Sequence, residues 1–116
     1  MPPGSYLQSA RLSFKRAFAA YFVALDSPGI ADPTEAFGTC REYLQALLGQ
    51  LGPEEFMRRL DDETTQMAGQ VEQDLRQKFR DRDRQPDYTE LEDRLRECFE
   101  YGLLRLHAPH IQMPVE

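Results

Sequence analysis

Four side chains could hold a metal ion or act as a nucleophile, Cys40, Cys98, His107 and His110, and their spacing suits neither task. A structural zinc site draws about four ligands into a tetrahedron, commonly from two closely spaced pairs. The two cysteines lie far apart and form no Cys-x-x-Cys unit. Cys98 and His107 share a predicted helix but fall on opposite sides of it. His110 lies beyond Pro109, which ends that helix. His107 reads instead as a cation at a helix C-terminus, where the helix dipole favours it. A di-metal carboxylate bundle needs Glu-x-x-His pairs, and the chain has none. Both cysteines fall on apolar helix faces, where a thiol behaves as a small hydrophobe. The serines have no Gly-x-Ser-x-Gly context, no glycine-rich phosphate loop is present, and no carboxylate pair stands on a core-facing position. The sequence therefore assigns no catalytic residue, no metal ligand and no cofactor, and the protein is expected not to be an enzyme.

Binding is the remaining chemistry, and its candidates are charged. The formal net charge is −6, so the protein as a whole repels polyanions. The charge is unevenly placed. Residues 1–25 carry Arg11, Lys15 and Arg16 and no acid, and all 20 acidic residues lie from Asp26 onward. A second basic stretch, Arg76-Gln77-Lys78-Phe79-Arg80 with Arg82 and Arg84, is interrupted by Asp81 and Asp83. Arg76 and Lys78 also have helical partners at hand in Glu72 and Asp74. Phosphate binding needs clustered, uncompensated positive charge. Arg11, Lys15 and Arg16 are thus the candidate polyanion contact.

These residues must be positioned by helices. The fold class expected is all-α: a compact bundle of four amphipathic helices, mostly antiparallel, in a single domain spanning 1–116. The helices are expected at about 5–26, 33–50, 53–82 and 88–107, with a tail at 108–116. The first carries Leu7, Ala10, Phe14, Ala17, Tyr21 and Ala24 at spacings of three and four. Asp26-Ser27-Pro28-Gly29 stops it. The second opens on Asp32-Pro33-Thr34-Glu35, a capping box with proline at its first position. Its face is Phe37, Cys40, Leu44, Leu47, Leu48 and Leu51, and Gly49 and Gly52 terminate it. The third begins at Pro53-Glu54-Glu55, with acids at the positive end of the dipole. Its stripe is Phe56, Leu60, Thr64, Met67, Val71, Leu75 and Phe79. A break near Asp61-Asp62 would make five helices, since an aspartate there could cap a new one. The fourth opens on a second capping box, Asp87-Tyr88-Thr89-Glu90, and its face is Leu91, Leu95, Cys98, Phe99, Gly102 and Leu106. Six i,i+4 pairs with the acid N-terminal support the helices independently: Glu54–Arg58, Glu55–Arg59, Glu72–Arg76, Asp74–Lys78, Glu90–Arg94 and Glu92–Arg96. No segment alternates with a period of two, so no sheet is expected.

The first helix has more apolar surface than one stripe requires. Ala17 to Leu25 is continuously apolar, yet far shorter than the roughly 20 residues a membrane span needs. Its main face holds Phe14, Phe18, Tyr21 and Leu25, with Phe22 at the margin and Leu12, Ala19 and Val23 pointing elsewhere. Either this helix is central, contacted on most sides, or its far side is a docking surface. Leu12, Ala19, Phe22 and Val23 are the candidate partner interface. Burying Phe22 or Val23 in a partner would contribute roughly 1.5–3 kcal/mol per side chain.

The expected function is a non-enzymatic helical interaction module: an accessory subunit, adaptor or assembly factor. It would work through a protein partner or self-association, with no membrane. The alternative is a small subunit of a nucleoprotein complex that contacts nucleic acid through the basic face of helix one. Two cysteines make no disulfide framework, and no targeting segment is visible, so a cytoplasmic location is expected.

Overall fold

The computed structural model describes residues 3–26, 29 and 31–107. Four helices form one bundle: α1 (Pro3–Ala24), α2 (Thr34–Leu51), α3 (Pro53–Lys78) and α4 (Leu91–His107), the last preceded by a 3₁₀ turn at Tyr88–Glu90. No strand occurs among the described residues. The expected tail at 108–116, with Pro109 and His110, lies outside them, as do Ser27 and Pro28 and the side chain of His107.

Both Asp-x-Thr-Glu starts are used in the same way. The Asp32 carboxylate accepts from the Thr34 backbone N–H at 3.0 Å and from its hydroxyl at 2.6 Å. Asp87 repeats this with Thr89 at 3.0 and 2.7 Å. Among the described residues neither Glu35 nor Glu90 makes the return bond of a full capping box. Glu90 faces Arg94 at 3.6 Å instead. These bonds hold the Asp32 and Asp87 carboxyls below their ordinary range.

α3 is one unbroken helix of 26 residues, about 39 Å long at 1.5 Å per residue. Asp61 and Asp62 do not interrupt it. Both point outward, and Asp61 accepts from Arg96 of α4 at 2.7 Å. The buried Thr64 hydroxyl donates back to the Leu60 carbonyl at 2.8 Å, so it needs no partner outside its own helix. The helix ends at Lys78, not at Arg82 as expected. The Phe79 N–H still reaches the Leu75 carbonyl at 2.9 Å, the Arg82 N–H donates to the Phe79 carbonyl at 3.0 Å, and the Gln85 side chain donates to the carbonyls of Phe79 and Arg82.

The contacts fix the packing. Phe14 meets Tyr43 and Tyr21 meets Phe37, so α1 and α2 run in opposite directions. Phe14 also meets Phe99, and Phe22 meets Tyr88, which sets α4 antiparallel to α1. Arg96 reaches Asp61 and Arg76 lies over Tyr88, which sets α4 antiparallel to α3. α1 touches all three other helices. The core is built from the expected faces, with Phe22, Ala36, Tyr43 and Ala68 added. Four of the six i,i+4 pairs form. Arg58 turns to Glu55 rather than Glu54, and Asp74 turns from Lys78 to Lys15 of α1.

α2 and α4 cross where Gly102 sits. A Cβ there would stand 2.8 Å from Leu44 Cδ1 and 3.2 Å from the Cys40 sulfur, both fully buried. Cys40 itself donates to the Cys98 carbonyl at 3.3 Å across the same crossing. The close approach therefore depends on a missing side chain. Gly102→Val is expected to lose about 1–3 kcal/mol through overpacking. Gly69 lies on an exposed face of α3 with nothing near its missing Cβ. Gly69→Ala is expected to gain roughly 0.5–1 kcal/mol from helix propensity alone. Urea midpoints of the two variants should move in opposite directions.

Candidate functional site

The candidate residues of α1 divide into three groups. Arg11 is a strut between helices. Its guanidinium donates to Glu63 at 2.8 Å and to Gln70 at 2.8 Å, both on α3. The buried Tyr43 side chain of α2 lies beside both Arg11 and Glu63. Burial works against the Arg11 charge, but Glu63 outweighs it and the guanidinium pKa is raised. Arg11 is committed to this junction of three helices and is not a free polyanion contact. Lys15 is similarly engaged, with Asp74 at 3.2 Å. Arg16 alone of the three is exposed and makes no ion pair or hydrogen bond among the described residues. The expectation of an uncompensated basic face on helix one is corrected accordingly: α3 supplies the acids that residues 1–25 lack.

Phe22 forms the second group and also requires a correction. It is only 5% exposed and stacks between Phe18 and Tyr88 at ring separations of 6.2 and 6.4 Å. The turn ahead of α4 covers that margin of the helix. Phe22 is core and cannot also face a partner.

The third group stays open. Leu12 is 42% exposed, and Ala19 and Val23 are half-buried. With Lys15, Arg16 and Ala20, Ala19 and Val23 line one side of a groove of about 480 Å³ between α1 and α3. α3 provides the other side with Val71, Asp74, Leu75 and Lys78. Arg11–Glu63 and Lys15–Asp74 show that the two helices run in the same direction along it. The floor is apolar. The rim holds three cations and one carboxylate, on a chain whose net charge is −6. Leu12 lies one turn before Arg16 on the same side of α1 and extends the stripe beyond the groove. At its other end Val23 also lines a second recess, of about 340 Å³, with Phe79, Arg82 and Arg84.

The fold thus brings Ala19 and Val23 of the expected interface and Lys15 and Arg16 of the expected polyanion contact into one place. Sequence reasoning missed Lys78 as part of that site. It lay in the second basic stretch, and its apparent partner Asp74 masked it. In the structure Asp74 points to Lys15, and the Lys78 ammonium lies 5.9 Å from the centre of the Phe79 ring with no ion pair among the described residues.

The thiols offer no reactive alternative. Both cysteines are unpaired and fully buried, and burial pushes Cys40 well above its ordinary pKa and Cys98 up to about 12. Among the described residues, no helix is long and apolar enough to cross a membrane. Comparison with protein-family models, with curated proteins and with solved structures finds no match.

Proposed function

We propose that this protein is a non-enzymatic helical interaction module, an accessory subunit, adaptor or assembly factor, that docks a partner protein along the α1/α3 groove. One observation carries the reading. After the core is complete, α1 still presents a stripe of Leu12, Ala19 and Val23 to solvent, and the last two line a groove. Apolar surface left open beside a rim of charge is the usual layout of an interface. The two buried, unpaired thiols suit a reducing compartment such as the cytoplasm. The alternative, nucleic-acid contact through helix one, loses two of its three cations to Glu63 and Asp74.

The test is affinity purification from the native host at low salt, with mass spectrometry and a nuclease-treated control. A protein partner should persist after nuclease with the wild type and be lost with Val23→Glu, whose circular dichroism and melting stay close to wild type. Retention of nucleic acid alone, or a partner indifferent to Val23→Glu, would overturn the reading.

A further inference from the structure

We infer that the occupant of the α1/α3 groove is an acidic amphipathic helix of a partner protein, held by apolar anchors on the floor and by carboxylates on the cationic rim. This rests on the docking reading above and adds the chemistry of the partner. Charge complementarity selects this occupant. The chain is −6 overall, so an acidic segment is repelled from most of its surface. The groove inverts that sign locally, with Lys15, Arg16 and Lys78 against Asp74 alone. Of the three cations, Arg16 and Lys78 have no carboxylate partner among the described residues, so they can take new ones without breaking an existing pair.

The shape favours a helix over a nucleic-acid backbone. The groove is bounded by two helices running in the same direction, and its α1 wall is low where Ala20 stands. A third helix can lie there with side chains at i, i+3, i+4 and i+7 directed inward. A hydrated phosphate chain gains nothing from an apolar floor, and two free cations are too few to anchor one on an acidic protein. A second copy of this chain would bring its own net charge of −6 against the first, which opposes self-docking.

The Lys15–Asp74 pair makes the inference testable by a gain. Removing the Asp74 carboxylate frees Lys15 and deletes the one negative charge among the described residues that line the groove. A displayed library of helical peptides is panned on the full-length protein at low ionic strength, and the selected peptides are measured by fluorescence anisotropy. Enrichment is expected for Asp and Glu flanking Leu, Met or Phe at helical spacing. Asp74→Ala is expected to bind the selected peptides roughly three- to tenfold tighter, and Arg16→Glu with Lys78→Glu about tenfold weaker or worse. Misfolding cannot produce the gain.

Selected peptides that are lost with Val23→Glu but carry no acidic excess would overturn the acidic-partner inference and leave the docking groove standing. No enrichment, or binding indifferent to all these substitutions, would overturn both. A short DNA duplex run in parallel should stay unbound. Binding of the duplex that is lost with Arg16→Glu and Lys78→Glu would return the groove to nucleic acid. Concentration-dependent self-association lost with Val23→Glu would assign it to a second copy.

Discussion

Phe22→Glu is expected to unfold the protein, while Val23→Glu, one position further along the same helix, leaves it folded. Phe22 is 5% exposed, with its ring between Phe18 and Tyr88. Arg76, over the Tyr88 ring, is already paired with Glu72, and truncation alone would already cost about 3–5 kcal/mol. Desolvating the charge adds several more. The sum reaches the whole stability of a small domain, about 5–15 kcal/mol. Val23 is half-buried at the mouths of two open recesses, so a glutamate can extend into water. Its cost should stay near 1 kcal/mol. Circular dichroism of the two variants, with thermal melts, checks the contrast. A folded Phe22→Glu, or an unfolded Val23→Glu, would mean that the division of α1 into core and docking faces is wrong.

That contrast marks where the sequence stops being legible. Spacing alone placed Phe14, Phe18 and Leu75 on inward faces, because an amphipathic period is a local property of the chain. Phe22 sat at the margin of the wheel. What pulls it inside is Tyr88, a residue of a turn whose position no local pattern encodes. The two candidate explanations for the apolar excess of α1 both hold in part: three other helices touch it, and a stripe remains outside.

The basic cluster failed as a prediction for the same reason. Counting acids within residues 1–25 is a local sum, but charges pair in space. The acid that meets Arg11 is 52 residues away, and the acid that meets Lys15 is also on α3. Asp74 had a good i,i+4 partner in Lys78 and took a tertiary one instead. Exposed helical pairs are worth only about 0.3–0.5 kcal/mol, so tertiary geometry decides easily between them. The same weakness explains α3. A capping-competent Asp61 does not end a helix whose apolar stripe continues in register through Thr64 and Met67. The groove itself was half visible: the sequence marked residues on its α1 side as an interface, and assigned those opposite to an apolar stripe (Val71, Leu75) or a helical ion pair (Asp74, Lys78).

The second large effect is expected in alkali. Cys40, Cys98 and Tyr43 are all essentially inaccessible, at 0, 0 and 1% exposure. Burial is the main cause holding each of them protonated in the folded protein. Cys98 is pushed from 9.0 to about 12, Cys40 stands well above 9.0, and Tyr43, beside Glu63, is raised above 10.0. The unfolded chain has no such constraint and releases these protons near their ordinary values. Its deprotonation therefore draws the equilibrium toward unfolding as pH rises. Stability from these groups is complete below about pH 9 and is lost above it, until each folded-state value is reached. Each group removes about 1.4 kcal/mol per pH unit in that window. Cys98 alone removes on the order of 3 kcal/mol between about pH 9 and 11, a large share of a small domain's total, and Cys40 acts in the same direction. Thermal melts should accordingly be flat from pH 7 to roughly 8.5 and fall steeply by about pH 10. Cys98→Ala should melt lower than wild type at neutral pH, from the small cavity it leaves, yet show a shallower fall above pH 9. A variant slope equal to that of wild type would show that the Cys98 thiol ionises freely in the folded protein. Its burial at the α2/α4 crossing, and with it the close approach at Gly102, would then be wrong.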